Sequence, residues 1–212
     1  MKNNQYNKVV IIGNSQKFIK EFKKNYSFQK FDIIPWRQIQ FYSNKKLLKY
    51  NLVFICGFNF NIYLNNKKTF EKKNIFEILN LLKKITNNKT MLIYINTQKN
   101  NNQNYTFSRY RYAKQKLAYL IFKKFKNSLI FNSDLITVNK DISINSNLFS
   151  RLIFNFFVKF NLIKTIDIKK LFLEIKRCLN LKNFPKQNDI NGIFLSIPRT
   201  QFIDRLLRVI LG

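Results

Sequence analysis

The chain has no histidine, four glycines, three prolines, two cysteines and a single tryptophan. Without histidine there is no Ser/His or Cys/His nucleophile pair and no histidine-ligated metal. Cys56 and Cys178 stand far apart and neither has a C-x-x-C partner, so no zinc or redox motif is supported. A signal-peptide pattern is missing, as is any apolar run of about eighteen residues. With so few cysteines, this leads to the expectation of a soluble cytoplasmic protein. Negative charge is scarce as well: 10 Asp and Glu stand against 39 Lys and Arg, for a net charge of +29.

Such an excess of positive charge usually points to nucleic acid, an anionic surface or anionic substrates. A second explanation competes. Lys, Asn, Ile and Phe, which have A/T-rich codons, are abundant, while alanine occurs only at Ala113 and Ala118. The lysines are scattered rather than blocked, which favours nucleotide bias over selection for polyanion binding. Hydrophobic residues make up 46% of the 212, enough to bury one good core with or without a small lobe.

Order along the chain is more informative. Val9–Ile12 reads as a buried strand, Gly13 ends it, and Phe18, Ile19 and Phe22 follow at helical spacing. A strand, a glycine turn and a helix open many nucleotide-binding α/β folds, because the helix N-terminus offers N–H groups to a pyrophosphate. Lys30–Trp36 reads as a second strand whose Pro35 suggests an edge or an end. Asn51–Gly57 is a third strand, Phe70–Ile85 an amphipathic helix, and Met91–Ile95 a strand with Asn96 and Thr97 at its carboxyl end. Asn100–Tyr105 reads as a polar loop. Tyr110–Phe125 is a helix with Ala113, Leu117, Leu120 and Ile121 inward, and Ser128–Val138 contains another strand. Leu148–Ile163 reads as a helix of a C-terminal lobe, Ile166–Leu179 and Phe202–Leu211 as further helices, and Gly192–Ile197 as a short strand. Alternating strands and helices imply an α/β fold: a Rossmann-like, doubly wound parallel sheet over residues 1–140 and a small C-terminal helical or mixed lobe over 141–212. Gly13, Arg37, Gly57 and Thr97 follow strand ends, where ligands bind in such sheets.

Tyr112 and Lys116 are four residues apart on a predicted helix, so they share one face. An ammonium beside a phenol lowers its pKa and lets it exchange a proton with a sugar hydroxyl. The same spacing recurs at Tyr26/Lys30, Tyr42/Lys46, Tyr63/Lys67, Tyr110/Lys114 and Tyr119/Lys123, so only position discriminates. The Tyr112 pair lies on the helix that follows the Met91–Ile95 strand. Tyr110/Lys114 lies on that helix too, and the register between them stays open.

In order and spacing, VVIIGNSQKFI (9–19), LVFICGFN (52–59), NIFEILNLLKKITNNKTMLIYINT (74–97), YAKQKLAYLI (112–121) and TIDIKKLFLEIKRCLN (165–180) resemble successive segments of the extended short-chain dehydrogenase/reductase family. That resemblance implies an NAD(P)-dependent epimerase, dehydratase or reductase acting on a nucleotide-activated sugar, as in surface polysaccharide synthesis. Tyr112 would be the acid/base, Lys116 its pKa partner and ribose contact, and Thr97 the substrate-polarising hydroxyl. Gly13 would be the pyrophosphate turn, and Asn14, Ser15, Phe18, Ile19, Cys56 and Gly57 would be further cofactor contacts. Arg37 resembles the basic residue that selects NADP over NAD. A homodimer is compatible with this reading. The glycine turn departs from the family pattern: Gln16, Lys17 and Lys20 stand where one register or another expects glycine. Two alternatives follow, a catalytically degenerate Rossmann protein and a basic RNA-associated one.

Overall fold

The computed structural model describes residues 7–13, 15–26, 31–42, 49–59, 66–97, 109–138, 141–142, 152, 155–156, 165–180 and 187–190. Its centre is a six-stranded sheet in the order β2-β1-β3-β4-β5-β9, with every pairing parallel. The strands are β1 (Val9–Ile12), β2 (Phe31–Ile34), β3 (Leu52–Ile55), β4 (Met91–Thr97), β5 (Ser128–Ser133) and β9 (Gln187–Ile190). A second sheet holds β6 (Leu135–Val138) between β7 (Asp141–Ile142) and β8 (Thr165–Asp167).

Continuous apolar runs such as VVII and LVFI belong in a parallel sheet because both of its faces are covered. Alternate residues serve opposite faces. Val10, Ile12, Val53, Ile55, Leu92 and Tyr94 pack on one side with α3 (Lys67–Glu71), a π-helical segment (Lys72–Phe76), α4 (Glu77–Ile85) and α5 (Arg109–Lys124). Val9, Ile11, Leu52, Phe54, Ile93 and Phe131 pack on the other side with α1 (Gln16–Asn25) and α6 (Ile168–Asn180). On that side Phe22 meets Phe54 edge-on at 4.8 Å, and Phe18 meets Phe172 at 5.1 Å, so α1 and α6 share an aromatic seam.

Several boundaries differ from expectation. β2 stops at Ile34; Pro35 lacks an N–H for the ladder, and Trp36 opens a 3-10 turn (Trp36–Gln38) leading into α2 (Ile39–Tyr42). Its edge position is as Pro35 suggested. The predicted 70–85 helix begins at Lys67, where Asn66 Oδ1 accepts from Thr69 N at 2.9 Å, and it carries the π segment in its middle. Asn96 and Thr97 lie within β4, not after it, because Asn96 and Thr97 stay in register with Asn132 and Ser133 of β5. The expected 128–138 strand is two strands in different sheets. Both α6 and β9 lie beyond residue 140, so the main sheet and its lower layer draw on the stretch expected to form a separate lobe. The loop at 100–105, most of the 148–163 helix, the strand at 192–197 and the helix at 202–211 lie outside the described residues. No helix among the described residues is long and apolar enough to cross a membrane.

Candidate active site

From β1 the sheet runs outward to β2 on one side and to β3 on the other, so the winding reverses between β1 and β3. Ligands of doubly wound sheets lie at that reversal, outside the carboxyl ends. Gly13 follows β1 there with φ +144°, a conformation that side-chain-bearing residues rarely adopt. A Cβ at Gly13 would lie 2.9 Å from Cys56 Sγ and 3.1 Å from Gly57 N. Three sequence-expected residues, Gly13, Cys56 and Gly57, are thus brought together. Ser15 caps α1, its Oγ accepting from Phe18 N at 3.3 Å. That bond satisfies one of the helix's N-terminal donors internally. Phe18 is buried in the aromatic seam and Ile19 packs against the same core, so both act as core residues. Arg37 is exposed on the 3-10 turn. Asn14 lies outside the described residues.

Thr97 ends β4, and its carbonyl accepts from Gln115 Nε2 at 3.1 Å. Tyr112 and Lys116 are adjacent as expected, with Lys116 Nζ donating to the phenolic oxygen at 2.9 Å. Their shared partner, however, is Glu71 of α3. Tyr112 donates its hydroxyl to Glu71 Oε1, and Lys116 pairs with the same oxygen at 2.9 Å. Beside them an open depression of about 510 Å³ is lined by Lys67, Lys68, Glu71, Lys72 and Phe76. The expected lowering of the Tyr112 pKa is reversed. Burial and the bond to Glu71 push the phenol up, and Lys116 pulls it back only in part. Burial works against the charge of Lys116, but its bonds to Tyr112 and Glu71 prevail and hold its pKa above the usual lysine value. Glu71, despite burial, is held below the usual carboxylate range by Tyr112, Lys116 and Lys67.

The other pair on α5 faces elsewhere. Lys114 is 5% exposed. Its Nζ donates to the carbonyl of Ile95 near the end of β4, and it lies 4.5 Å from the centroid of the Tyr94 ring. Burial drops its pKa to about 7, against an opposing pull from the Cys56 thiol; Cys56 is itself pushed up to about 12 by burial. One turn earlier, Tyr110 meets Phe58 edge-on at 4.8 Å, just beyond Gly57. Burial pushes the Tyr110 phenol up to about 12, with Arg111 opposing. Behind this corner, buried Asn74 in the π segment bonds both backbone polar groups of Asn59, accepting from its N–H at 2.9 Å and donating to its carbonyl at 3.3 Å. That clamp fixes the chain leaving β3. A π-bulge often marks a functional site, and here it places Asn74 against this chain.

The residues fit a dinucleotide in part. Gly13, the start of α1 and Lys114 suit the pyrophosphate and nicotinamide half. The indole of Trp36 covers Gly57, on the side where an adenosine half would lie.

Sequence comparison is silent: no family model matches the chain, and no curated protein matches it. Solved structures do match. A dTDP-4-dehydrorhamnose reductase ortholog from Clostridium acetobutylicum aligns over 87% of this chain and 74% of its own at 14% identity, with a TM-score of 0.57. A Helicobacter pylori ADP-L-glycero-D-manno-heptose-6-epimerase aligns over 90% and 79% at 10% identity, also with a TM-score of 0.57. A Bacillus anthracis dTDP-4-dehydrorhamnose reductase in complex with NADP aligns over 91% and 77% at 10% identity and the same score. The chain shares the α/β fold of these reductases and of this epimerase. The parallel sheet order and the place of α5 beside β4 are those of the doubly wound α/β fold that the sequence implied.

Proposed function

We propose that the chain binds a nicotinamide dinucleotide across the ends of β1, β3 and β4. In this reading it acts as a reductase or epimerase on a nucleotide-activated sugar, the substrate class named for its structural neighbours. Tyr110 and Lys114, rather than Tyr112 and Lys116, take the reacting positions. The supporting observation is Lys114: a buried ammonium at the end of β4, with a pKa brought to about 7. Keeping a lysine where an apolar side chain would be more stable is costly, and such sites are commonly functional.

Gly13 and the N-terminus of α1 would hold the pyrophosphate. Arg37, just beyond β2, offers a cation to a 2′-phosphate, which favours NADP over NAD. A bound nicotinamide supplies the hydride acceptor or donor. Thr97 offers a hydroxyl to polarise the substrate oxygen. Tyr110, whose raised pKa keeps the phenol protonated, gives the proton at that oxygen, and Lys114, one turn along the same helix face, carries a proton at Nζ that is half-occupied near neutral pH. Purified protein should oxidise NADPH in the presence of a nucleotide-linked keto-sugar. Lys114→Met should lower turnover by roughly 100-fold or more, whereas Lys116→Met should leave it near wild type. Loss of activity in the Lys116 variant alone would return the role to Tyr112 and Lys116.

A catalytically degenerate Rossmann protein is the second reading. The observation favouring it is the Trp36 indole over Gly57, together with Gln16, Lys17 and Lys20 in the glycine turn. Dinucleotide binding without turnover on any nucleotide sugar would select it.

A further inference from the structure

Pro35 ends β2, and the 3-10 turn that follows sends Trp36 inward over the sheet, leaving it 5% exposed. The contact with Gly57 is so close that a Cβ there would lie 2.4 Å from Trp36 Cε3 and 3.1 Å from Gly13 Cα. Only a glycine at 57 lets the indole lie where it does. In dinucleotide-binding sheets the residue at the end of the second strand, about 20 residues past the glycine turn, meets the adenosine ribose. Trp36 holds that place in this chain.

We infer that Trp36 is a gate on the adenosine half of the crevice: its indole fills, in the ligand-free chain, the space an adenine base needs. This rests on the dinucleotide reading above. Two further features suit a side chain that leaves its seat. Trp36 Nε1 is buried, and no acceptor among the described residues reaches it, so the closed state carries an unpaired donor. The turn follows β2, which among the described residues pairs with β1 alone, so a move of the indole breaks no strand pairing and gives up only its apolar packing beside Ile39. Because the base binds only the open conformer, apparent affinity falls by the fraction of molecules that are open. A ligand with the nicotinamide half alone escapes that penalty.

The test uses NADP and nicotinamide mononucleotide as probes, on the full chain and on Trp36→Leu, which keeps an apolar filler. NADP should bind Trp36→Leu at least tenfold more tightly than the wild-type chain, while the mononucleotide binds both alike. In the wild-type chain, NADP should shift the lone tryptophan's emission to the red as the indole meets water; the mononucleotide should not. Equal or weaker NADP binding by Trp36→Leu, or NADP binding with no change in wild-type emission, would overturn the gate while sparing the dinucleotide reading. The emission arm stands even if the variant fails to fold. If neither probe binds either protein, the dinucleotide reading itself falls, and the gate with it.

Discussion

Two tyrosine–lysine pairs on α5, offset by two residues, live in different chemistry. At about 100° per residue, an offset of two turns a side chain by about 200°, so both pairs cannot face the sheet. Tyr110 and Lys114 belong to the stripe that continues through Leu117 and Ile121, both buried on the sheet. Tyr112 and Lys116 turn toward α3, where Glu71 neutralises the ammonium and accepts the phenol's hydrogen. The first pair therefore keeps a buried amine held by a backbone carbonyl and the Tyr94 ring rather than by a carboxylate, with a depressed pKa. The second is a half-exposed ion-pair network with a raised one. Spacing alone makes them equivalent; the neighbours decide.

The largest contrast should come from removing each ammonium. Lys114→Met should lower turnover by roughly 100-fold or more and raise stability by about 2 kcal/mol, because an apolar chain replaces a buried charge. Steady-state kinetics and urea melts read both. The pH dependence carries a sign. The folded-state pKa of Lys114 is about 7, against about 10.4 for an unperturbed lysine. Between these values the unfolded chain binds a proton that the folded chain lacks, so stability rises with pH across that window. Below it both states are protonated and the burial penalty is felt in full. Lys114→Met should flatten that slope.

Next in size is the turn that both readings of the crevice share. Gly13→Ala would force a Cβ against Cys56 at φ +144°, at a cost of about 2 kcal/mol in thermal or urea unfolding. If stability is unchanged, the close approach at the reversal point is not a constraint.

Smaller still is the outer network. Glu71→Gln should destabilise by about 1 kcal/mol after allowance for solvent screening, with turnover within about twofold of wild type. Glu71's folded pKa is depressed, so its contribution is present above the unfolded carboxylate pKa and lost as pH falls through the folded one. Turnover that collapses in Glu71→Gln would make the outer pair part of the machinery and erase the contrast.

Much of the fold was legible. The runs at Val9–Ile12 and Leu52–Ile55 are apolar at every position, which only a sheet covered on both faces tolerates. Pro35 marked the edge strand. The inward stripe of α5 was visible too, and continuing Leu117 and Ile121 back by one turn lands on Lys114, a lysine at a core position. That was the available signal for telling apart two registers that spacing alone leaves open. Other features had no local signal. The π segment in Lys72–Phe76 answers to Asn74 bonding Asn59, a contact fifteen residues apart. Thr97 stays in β4 because β5 is long enough to pair with it. Trp36 leaves β2 to cover Gly57, which follows β3, two positions away in the sheet. Each depends on a neighbour distant in sequence.

The most direct test is an NMR titration of the Lys114 Nζ resonance, assigned by its disappearance in Lys114→Met. A midpoint near pH 7, well separated from the other lysines, is what a buried cation at the end of β4 requires. A midpoint near that of an ordinary surface lysine, about 10.4, would mean that Lys114 is solvated and that α5 turns the wrong face to the strands.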